Sequence, residues 1–572
     1  MSRAAPRIVD TDVVVIGGGC AGVYAALRVQ AAGLEVLQVV KGFLGRSGAS
    51  IFAGNLQLQK TKDPAEEERF MAIRARYGSS YLNDPDYIRR ACRFTEDVFF
   101  PEMEQRGLYL RRDDNGELVT SHDRSAGNVW APNQGFSGTM IMELLRKDVL
   151  ARRVPLLQET MVTSLLVRDG VVTGVTAFDI VHGELFVIRA KAVIIATGPG
   201  NYLATRSTAT REQCGNGFAM AYRAGADMQD LEMQWFHASD IAAPKAWMRL
   251  HLYPNPMPVT DKSLWLHGKD GKMFFHLGMN PKVKQPYYLQ LRHLCMQVQK
   301  GNADWHGGYY GGYTHIEPDI MENYSHTAAF FKHLGYDLTK DLIPCGITWH
   351  MTFGGIRTDN RTMATSIEGL YAPGGCGSHG VGSITYVSYD GTIAADQACE
   401  RARSVGLPEL PEHLVQREHD RVHSRLAPRP PGGLLPAQVK KRVREIMTDK
   451  MGYVKSAARM ASALDDLADV RQRLLPAMGV GSTSRTWNYD WVEALDAEDM
   501  LDLCELTIRM SMQRKESRGY FFREDYPYID NKRWLKHTVA RRVGDDVAFE
   551  FTEAAPIFRP ENEIDDFLTA EY

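Results

Sequence analysis

The sequence predicts an α/β protein: a doubly wound, Rossmann-like dinucleotide-binding domain, interrupted by an inserted α+β segment and followed by a helical domain. Three observations carry this. An apolar β-branched run, Val13-Val14-Val15-Ile16, passes without a break into the glycine turn Gly17-Gly18-Gly19-Cys20-Ala21-Gly22. A second run of the same kind, Ala192-Val193-Ile194-Ile195-Ala196-Thr197-Gly198, also ends in glycine. Beyond a proline-rich stretch at 408–436, helical periodicity takes over.

The first unit spans residues 12–40 and reads as strand, turn, helix, strand. The helix, Val23 to Ala32, is rich in alanine and closed by Gly33; Leu34 to Val40 supplies the second strand. Within Gly17-x-Gly19-x-x-Gly22, Gly17 permits the tight turn and Gly19 lets backbone approach a pyrophosphate. Gly22 allows the helix to pack closely on the strand, and the helix N-terminus offers N–H groups to phosphate. Where a carboxylate gripping the adenosine ribose is expected, the chain has Val40-Lys41, and Glu35 lies too early. Ribose binding is therefore expected to rest on main-chain groups, with no side chain assigned to that contact, and Lys41 stands among the expected cofactor-binding residues.

Further along, 161–198 alternates like sheet, with a hairpin expected at Asp169-Gly170. A stretch from about 240 to 350, rich in Trp, Tyr, His and Met, lacks clean periodicity and reads as an insertion. Strand character returns at Leu370-Tyr371-Ala372-Pro373-Gly374-Gly375, before a helix from about Tyr389 to Arg403. In the last third, Leu501, Cys504, Ile508 and Met512 fall on one helical face.

Composition excludes several classes. The chain has 572 residues with 67 basic and 70 acidic side chains, a net charge of -3, so no basic footprint for nucleic acid is present. Its eight cysteines stand singly without CxxC spacing, so neither a metal site nor a cluster is signalled. The N-terminal apolar run is too short for a secretory signal, and no stretch approaches a membrane span. Cytoplasmic residence is the expectation.

The motif Gly45-Arg46-Ser47-Gly48-Ala49-Ser50, with Ile51 to Gly54 after it, resembles the fumarate reductase and succinate dehydrogenase flavoprotein superfamily. Respiratory members bond their flavin to a histidine after the Arg-Ser pair. This chain has Gly48 there, a form similar to the adenylylsulfate reductase branch, whose FAD is held non-covalently. Four further segments resemble the superfamily in order: 192–208; 215–237 with its RAGA and DLE runs; 368–396; and 514–527. A stretch at 287–302 is similar to the cap of adenylylsulfate reductase. The resemblance implies that FAD is cradled by Gly17, Gly19, Gly22, Lys41, Arg46, Ser47, Gly48, Gly54, Ala196, Thr197, Gly198, Gly375, Ser378 and His379. Around Gly375, Ser378 and the helix that follows, backbone N–H groups would face the flavin pyrimidine edge.

For the reacting centre the resemblance implies His350, in the run Trp349-His350-Met351-Thr352, and His237, in Gln234-Trp235-Phe236-His237. A neutral imidazole at either place can donate to a substrate oxygen or move a proton. The superfamily's cap arginine, a proton shuttle, aligns with Thr260, with Lys262 nearby. The carboxylate-clamping arginine of its HGANRLG run has no counterpart after His379-Gly380. Reversible fumarate chemistry is therefore not expected. Trp235 and the aromatic, glycine-rich loop 305–315 are candidates to wall the substrate and to act as a lid. Arg514, Glu516, Arg518, Arg523, Glu524 and Asp525 read as a salt-bridge network against the flavin domain.

The expected organisation is an FAD-binding domain from 1–240 and 351–407, a cap at 241–350, a linker at 408–435, a helical domain at 436–530 and a tail at 531–572. The expected function is an FAD-dependent dehydrogenase or reductase acting on a small polar or anionic substrate at flavin N5. The alternatives are an oxidase of the L-aspartate oxidase kind and a flavin-bearing electron-transfer subunit. A homo-oligomer and an iron–sulfur electron-transfer subunit stand as candidate partners.

Overall fold

The computed structural model describes residues 7–53, 56–59, 64–65, 67–68, 71, 80–110, 112–116, 118, 126–129, 137–240, 265–268, 270–271, 291–292, 295, 301, 309–312, 331–337, 339–378, 382–554 and 564–565. Gly54, Thr260, Lys262 and His379 lie outside the described residues, as does most of the 305–315 loop.

The βαβ unit forms as the sequence predicts. β1 (Arg7–Ile16) enters the glycine turn, α1 (Cys20–Ala31) follows, and β2 (Val36–Val39) returns parallel to β1 with Val13 opposite Val36. Val13, Val14 and Val15 are completely buried. Each such side chain contributes about 1.5–3 kcal/mol of transfer free energy, which is why a run without alternation settles in a strand covered on both faces. After α2 (Ser137–Ala151) come β3 (Leu156–Leu157), β4 (Thr160–Arg168), β5 (Val171–Asp179) and β6 (Glu184–Ile195). They complete one sheet in the order β3-β2-β1-β6-β5-β4. The β4–β5 hairpin turns at Asp169 and Gly170, whose φ values of 52° and 79° give the left-handed pair that a tight two-residue turn requires.

The chain leaves this domain through α3 (Asn216–Arg223), β7 (Met228–Gln229) and β8 (Gln234–Asp240). It comes back along β11 (Ile343–Thr352), antiparallel to β8. With β9 (Trp265–His267) and β10 (Tyr309–Gly312) these strands form a sheet in the order β8-β11-β10-β9. β12 (Gly355–Ile356) then leads to β13 (Leu370–Tyr371), which rejoins the main sheet parallel to β6. α4 (Ile384–Ser404) packs on α1 with almost no separation: a Cβ on Gly391 would stand 2.2 Å from the Ala21 carbonyl oxygen.

The stretch 408–435 is more than a linker. It contains α5 (Glu412–Ser424), whose Val422 is fully buried, its carbonyl accepting a 2.6 Å hydrogen bond from the Trp491 indole. Prolines on both sides obscure that helix in the sequence without interrupting it. The helical domain is built from α6 (Pro436–Lys450), α7 (Ala457–Asp469) and α8 (Tyr489–Gln513), with Leu501, Cys504 and Ile508 of α8 fully buried. Short strands β14 (Val454–Lys455) and β15 (Phe522–Arg523) pair in parallel beside it.

Residues 531–572 also exceed a tail. β16 (Lys536–Val543) and β17 (Asp546–Glu553) form a hairpin that extends β12 and β7 into a sheet of order β12-β7-β16-β17. The expected ionic network is present at its base. Arg514, fully buried, pairs with Glu232 at 2.8 Å and Glu516 at 2.9 Å, and Arg518 pairs with Glu516 at 2.8 Å and donates to the Ser80 carbonyl. Arg523 pairs with Asp525, while the Glu524 side chain is exposed and takes no part among the described contacts. Among the described residues, no helix is long and apolar enough to cross a membrane.

Candidate active site

At the C-terminal ends of β1 and β6 the backbone is packed more closely than any side chain permits. A Cβ on Gly17, at φ +122°, would lie 2.1 Å from the Ala196 carbonyl oxygen, and one on Gly22 would lie 2.4 Å from the Gly17 oxygen. Gly19 sits at the N-cap of α1 in extended conformation. The next N–H, of Cys20, donates to Ser50 Oγ at 3.1 Å, so the serine-rich loop folds over the helix N-terminus. Ala196 donates to the Ile16 carbonyl, and Gly198 has φ +75°. From the other side, a Cβ on Gly375 would strike Pro199 Cδ at 2.6 Å, and Cys376 Sγ lies 2.7 Å from the Ile195 oxygen. Gly17, Gly19, Gly22, Ala196, Thr197, Gly198 and Gly375 therefore converge on one point. It is where an open α/β sheet binds a dinucleotide, outside the strand ends at the reversal of strand order. A glycine-lined cradle beside a helix N-terminus fits the diphosphate of FAD.

Gly48 and Ser378 flank this cradle. Gly48 adopts φ +81°, and nothing lies within 4 Å of where its Cβ would be. Its N–H donates to Thr210 Oγ1 at 3.1 Å. Ser378 is buried, and its hydroxyl accepts a long 3.4 Å hydrogen bond from the Thr358 N–H. Ser47, in the same turn as Gly48, is half-buried.

Two other sequence assignments are redirected. The Arg46 side chain reaches Glu143 on α2 at 2.9 Å and is half exposed. Lys41 points to the helical domain, where Nζ lies 2.5 Å from Asp496 Oδ1 and 3.1 Å from Asn216 Oδ1. Asp496 also pairs with Lys440 at 3.2 Å, and Asn216 donates to Asp496 and Asp499. Those two cations hold the Asp496 carboxyl well below its ordinary range despite burial. The end of β2 thus anchors the domain interface, and the Lys41 and Arg46 side chains are engaged away from the cradle.

The segment 206–210 joins the cradle to the reacting face. While Gly48 holds Thr210, Thr208 runs beside β11: its N–H donates to the Trp349 carbonyl, and its hydroxyl shares a 2.8 Å hydrogen bond with His350 Nδ1. The Asn201 side-chain amide donates to the His350 carbonyl. His350 and His237 lie on the paired strands β11 and β8, with ring centroids 5.2 Å apart. Trp235 shares the face of His237 by two-residue alternation along β8, and the register shift opposite it skips His350 in the ladder; the Trp235 and His350 rings meet edge-on at 5.0 Å. Trp235 stacks on Phe353 at 5.3 Å and touches Tyr520 at 5.5 Å. Its indole Nε1 is buried and makes no hydrogen bond among the described residues.

Burial lowers the His350 imidazole well below its usual value, and the neighbouring His237 lowers it further. His350 is therefore a neutral ring, with Nδ1 hydrogen-bonded to Thr208. Thr208, Phe353 and Tyr520 were not singled out in the sequence. Thr208 lies at the end of the 192–208 segment, whereas Tyr520 arrives from the far end of the chain and has no local signal. Ser383, three residues after Gly380, is the N-cap of α4 and shares a 2.9 Å hydrogen bond with Thr385.

Comparison with known proteins agrees with this geometry. Residues 12–385 match the FAD binding domain family, and residues 440–562 match the fumarate reductase flavoprotein C-terminal family. A fumarate reductase (CoM/CoB) subunit from Methanothermobacter marburgensis is 25% identical over 535 residues, covering 91% of this chain and 95% of the relative. Mycobacterium smegmatis Sdh1, solved in complex with UQ1, superposes with TM-score 0.83 at 25% identity, covering 97% of this chain and 96% of that one. The adenylylsulfate reductase of Archaeoglobus fulgidus superposes with TM-score 0.75 at 18% identity and 96% coverage of each chain, a likeness of fold. The cradle, the cap strands and these matches together place the chain in the fumarate reductase and succinate dehydrogenase flavoprotein family, as an FAD-dependent oxidoreductase.

Proposed function

We propose that this enzyme holds its FAD without a covalent bond and oxidises or reduces a small polar substrate under the cap, beside His350, His237 and Trp235. Bound there, the flavin supplies hydride or electron-pair transfer at N5. The observation that carries the reading is the convergence of two imidazoles and an unpartnered, buried indole N–H at one face, joined through 206–210 to the glycine cradle. A buried donor without a partner costs roughly 1–3 kcal/mol, and a substrate oxygen accepting from Trp235 Nε1 removes that penalty. Neutral His350 orients the same substrate or carries its proton.

Gly48 supports the non-covalent assignment, since it offers no side chain where respiratory relatives place their flavin-bonding histidine. The run after His379-Gly380, which has no arginine, supports a substrate without the dicarboxylate clamp, so a singly anionic or neutral polar molecule fits better than succinate. The similar M. marburgensis protein is one subunit of its fumarate reductase. That favours a separate electron-transfer partner, of iron–sulfur type, over oxygen as the exchange route.

Anaerobic titration of the bound flavin against a panel of carboxylic, amino and keto acids tests the reading. A single class should bleach or restore the flavin stoichiometrically, with succinate and fumarate ineffective. Reduction by succinate at the rate of a dedicated dehydrogenase would overturn the substrate reading. Rapid reoxidation by air would move the enzyme to the oxidases.

A further inference from the structure

The reacting face carries an apolar surface beside its imidazoles. Across the β8–β11 ladder Trp235 pairs with Met351 and His237 with Thr348. Residues directly opposite each other point to one side of a sheet, so the Met351 side chain shares the face of the Trp235 and His237 rings. Met351 is half-buried, and its far end meets the start of α4. A Cβ on Gly382, the residue before the Ser383 N-cap, would lie 2.3 Å from Met351 Cε and 2.7 Å from Sδ. The same Cβ would stand 3.9 Å from Trp235 Cζ3. Glycine at 382 thus lets the thioether lie against the backbone that enters α4.

Cζ3 belongs to the six-membered ring of the indole, at the opposite end from Nε1. Trp235 therefore rests its hydrocarbon end near Met351 and Gly382 and carries its N–H donor at the other. Phe353, 7% exposed, stacks on Trp235 at 5.3 Å with the planes 9° apart and widens the apolar wall. His350 and His237 stand 5.0 Å and 6.3 Å from the Trp235 centroid.

Solvation decides what such a face accepts. A thioether donates no hydrogen bond and accepts only weakly. Drawing a carboxylate out of water against it is unfavourable, whereas each methylene that reaches the same surface is favoured.

Resting on the reading of the site given above, we propose that the substrate is a small acid with one carboxylate and a short apolar tail, and that Met351 selects it. The polar end is met by His350, His237 and the Trp235 indole, and the tail lies against Met351 and Phe353. By packing on Gly382, the thioether also puts hydrocarbon where the N-terminus of α4 would otherwise draw a second anion.

The oxidised, FAD-loaded full chain is titrated with acetate, propionate, butyrate and succinate, and binding is read as a saturable perturbation of the flavin absorbance. Butyrate and succinate share a four-carbon chain and differ only in ending on a methyl or a carboxylate. Butyrate should bind roughly tenfold more tightly than succinate, and affinity should rise about fourfold per methylene from acetate to butyrate. Met351→Gln should bring the two four-carbon acids to nearly equal affinity. Met351→Leu, apolar and similar in volume, should keep the wild-type preference, with FAD content unchanged in both variants. An unchanged preference in Met351→Gln, or a flat series from acetate to butyrate, overturns the proposal and leaves the reading of the site in place. Succinate binding as tightly as butyrate overturns both. Silence from all four acids also overturns the proposal, and the reading falls with it only if the wider anaerobic panel leaves the flavin untouched. Should Met351→Gln lose its flavin, the wild-type series decides alone.

Discussion

The Thr208 hydroxyl lies 2.8 Å from His350 Nδ1, while two residues later Thr210 accepts the N–H of Gly48. One short segment therefore fixes both the flavin loop and the orientation of the imidazole at the reacting face. Replacing Thr208 by Val frees the ring to rotate without altering the cradle. Turnover of the substrate found by titration is expected to fall by about 100-fold, with FAD content unchanged and Thr208→Ser retaining most activity. Equal loss in the Ser and Val variants would show that the hydrogen bond is not what matters.

Because His350 is held neutral by burial and by His237, the acid limb of its activity profile should not fall at an ordinary imidazole value. The same shift has a stability consequence of definite sign. As pH drops below about 6.5 the unfolded chain takes up a proton that the folded protein refuses, so stability declines from there downward. His350→Gln should flatten that part of the acid limb in a denaturant-midpoint series, and an unchanged slope would contradict the assignment.

Gly17→Ala introduces a methyl group 2.1 Å from the Ala196 oxygen at a φ of +122°, so the turn must move. The variant should be recovered with little or no flavin and a lower Tm. Full FAD occupancy by absorbance would mean that the turn is not the diphosphate seat.

Asp496 joins Lys41 of the nucleotide-binding domain to Lys440 of the helical domain, and all three are deeply set. Asp496→Asn leaves Lys41 facing a neutral amide, while Lys440 keeps Glu493 at 2.7 Å, and should cost about 3 kcal/mol in chemical denaturation. Since its carboxyl is depressed in the folded state, its contribution is complete above the unfolded value near 3.9 and is lost as pH falls through the folded value. The wild-type advantage over the variant should therefore shrink below about pH 4.

How much of this was legible follows from which forces act locally. The glycine turn is visible because only glycine fits where backbone meets backbone, and the Asp169-Gly170 hairpin because both residues must be left-handed. The two histidines were found through family motifs, and the β8–β11 register explains why they meet. The destination of Lys41 was hidden, since Asp496 lies 455 residues away and no local pattern couples them. So was Tyr520, which reaches the Trp235 wall from beyond the helical domain. The helix at Glu412–Ser424 was masked by flanking prolines, although its own residues carry the signal. The Lys536–Glu553 hairpin stands apart from the motifs, and its outer strand is largely exposed, although Val547, Phe549 and Phe551 alternate as a strand should.

Acid precipitation of the purified yellow protein tests most directly that this chain seats FAD without a covalent bond. A colourless pellet is expected, with close to one equivalent of FAD in the supernatant. Colour that stays with the pellet would contradict the non-covalent seat, and a protein that is colourless from the start and takes up no added FAD would contradict the seat itself.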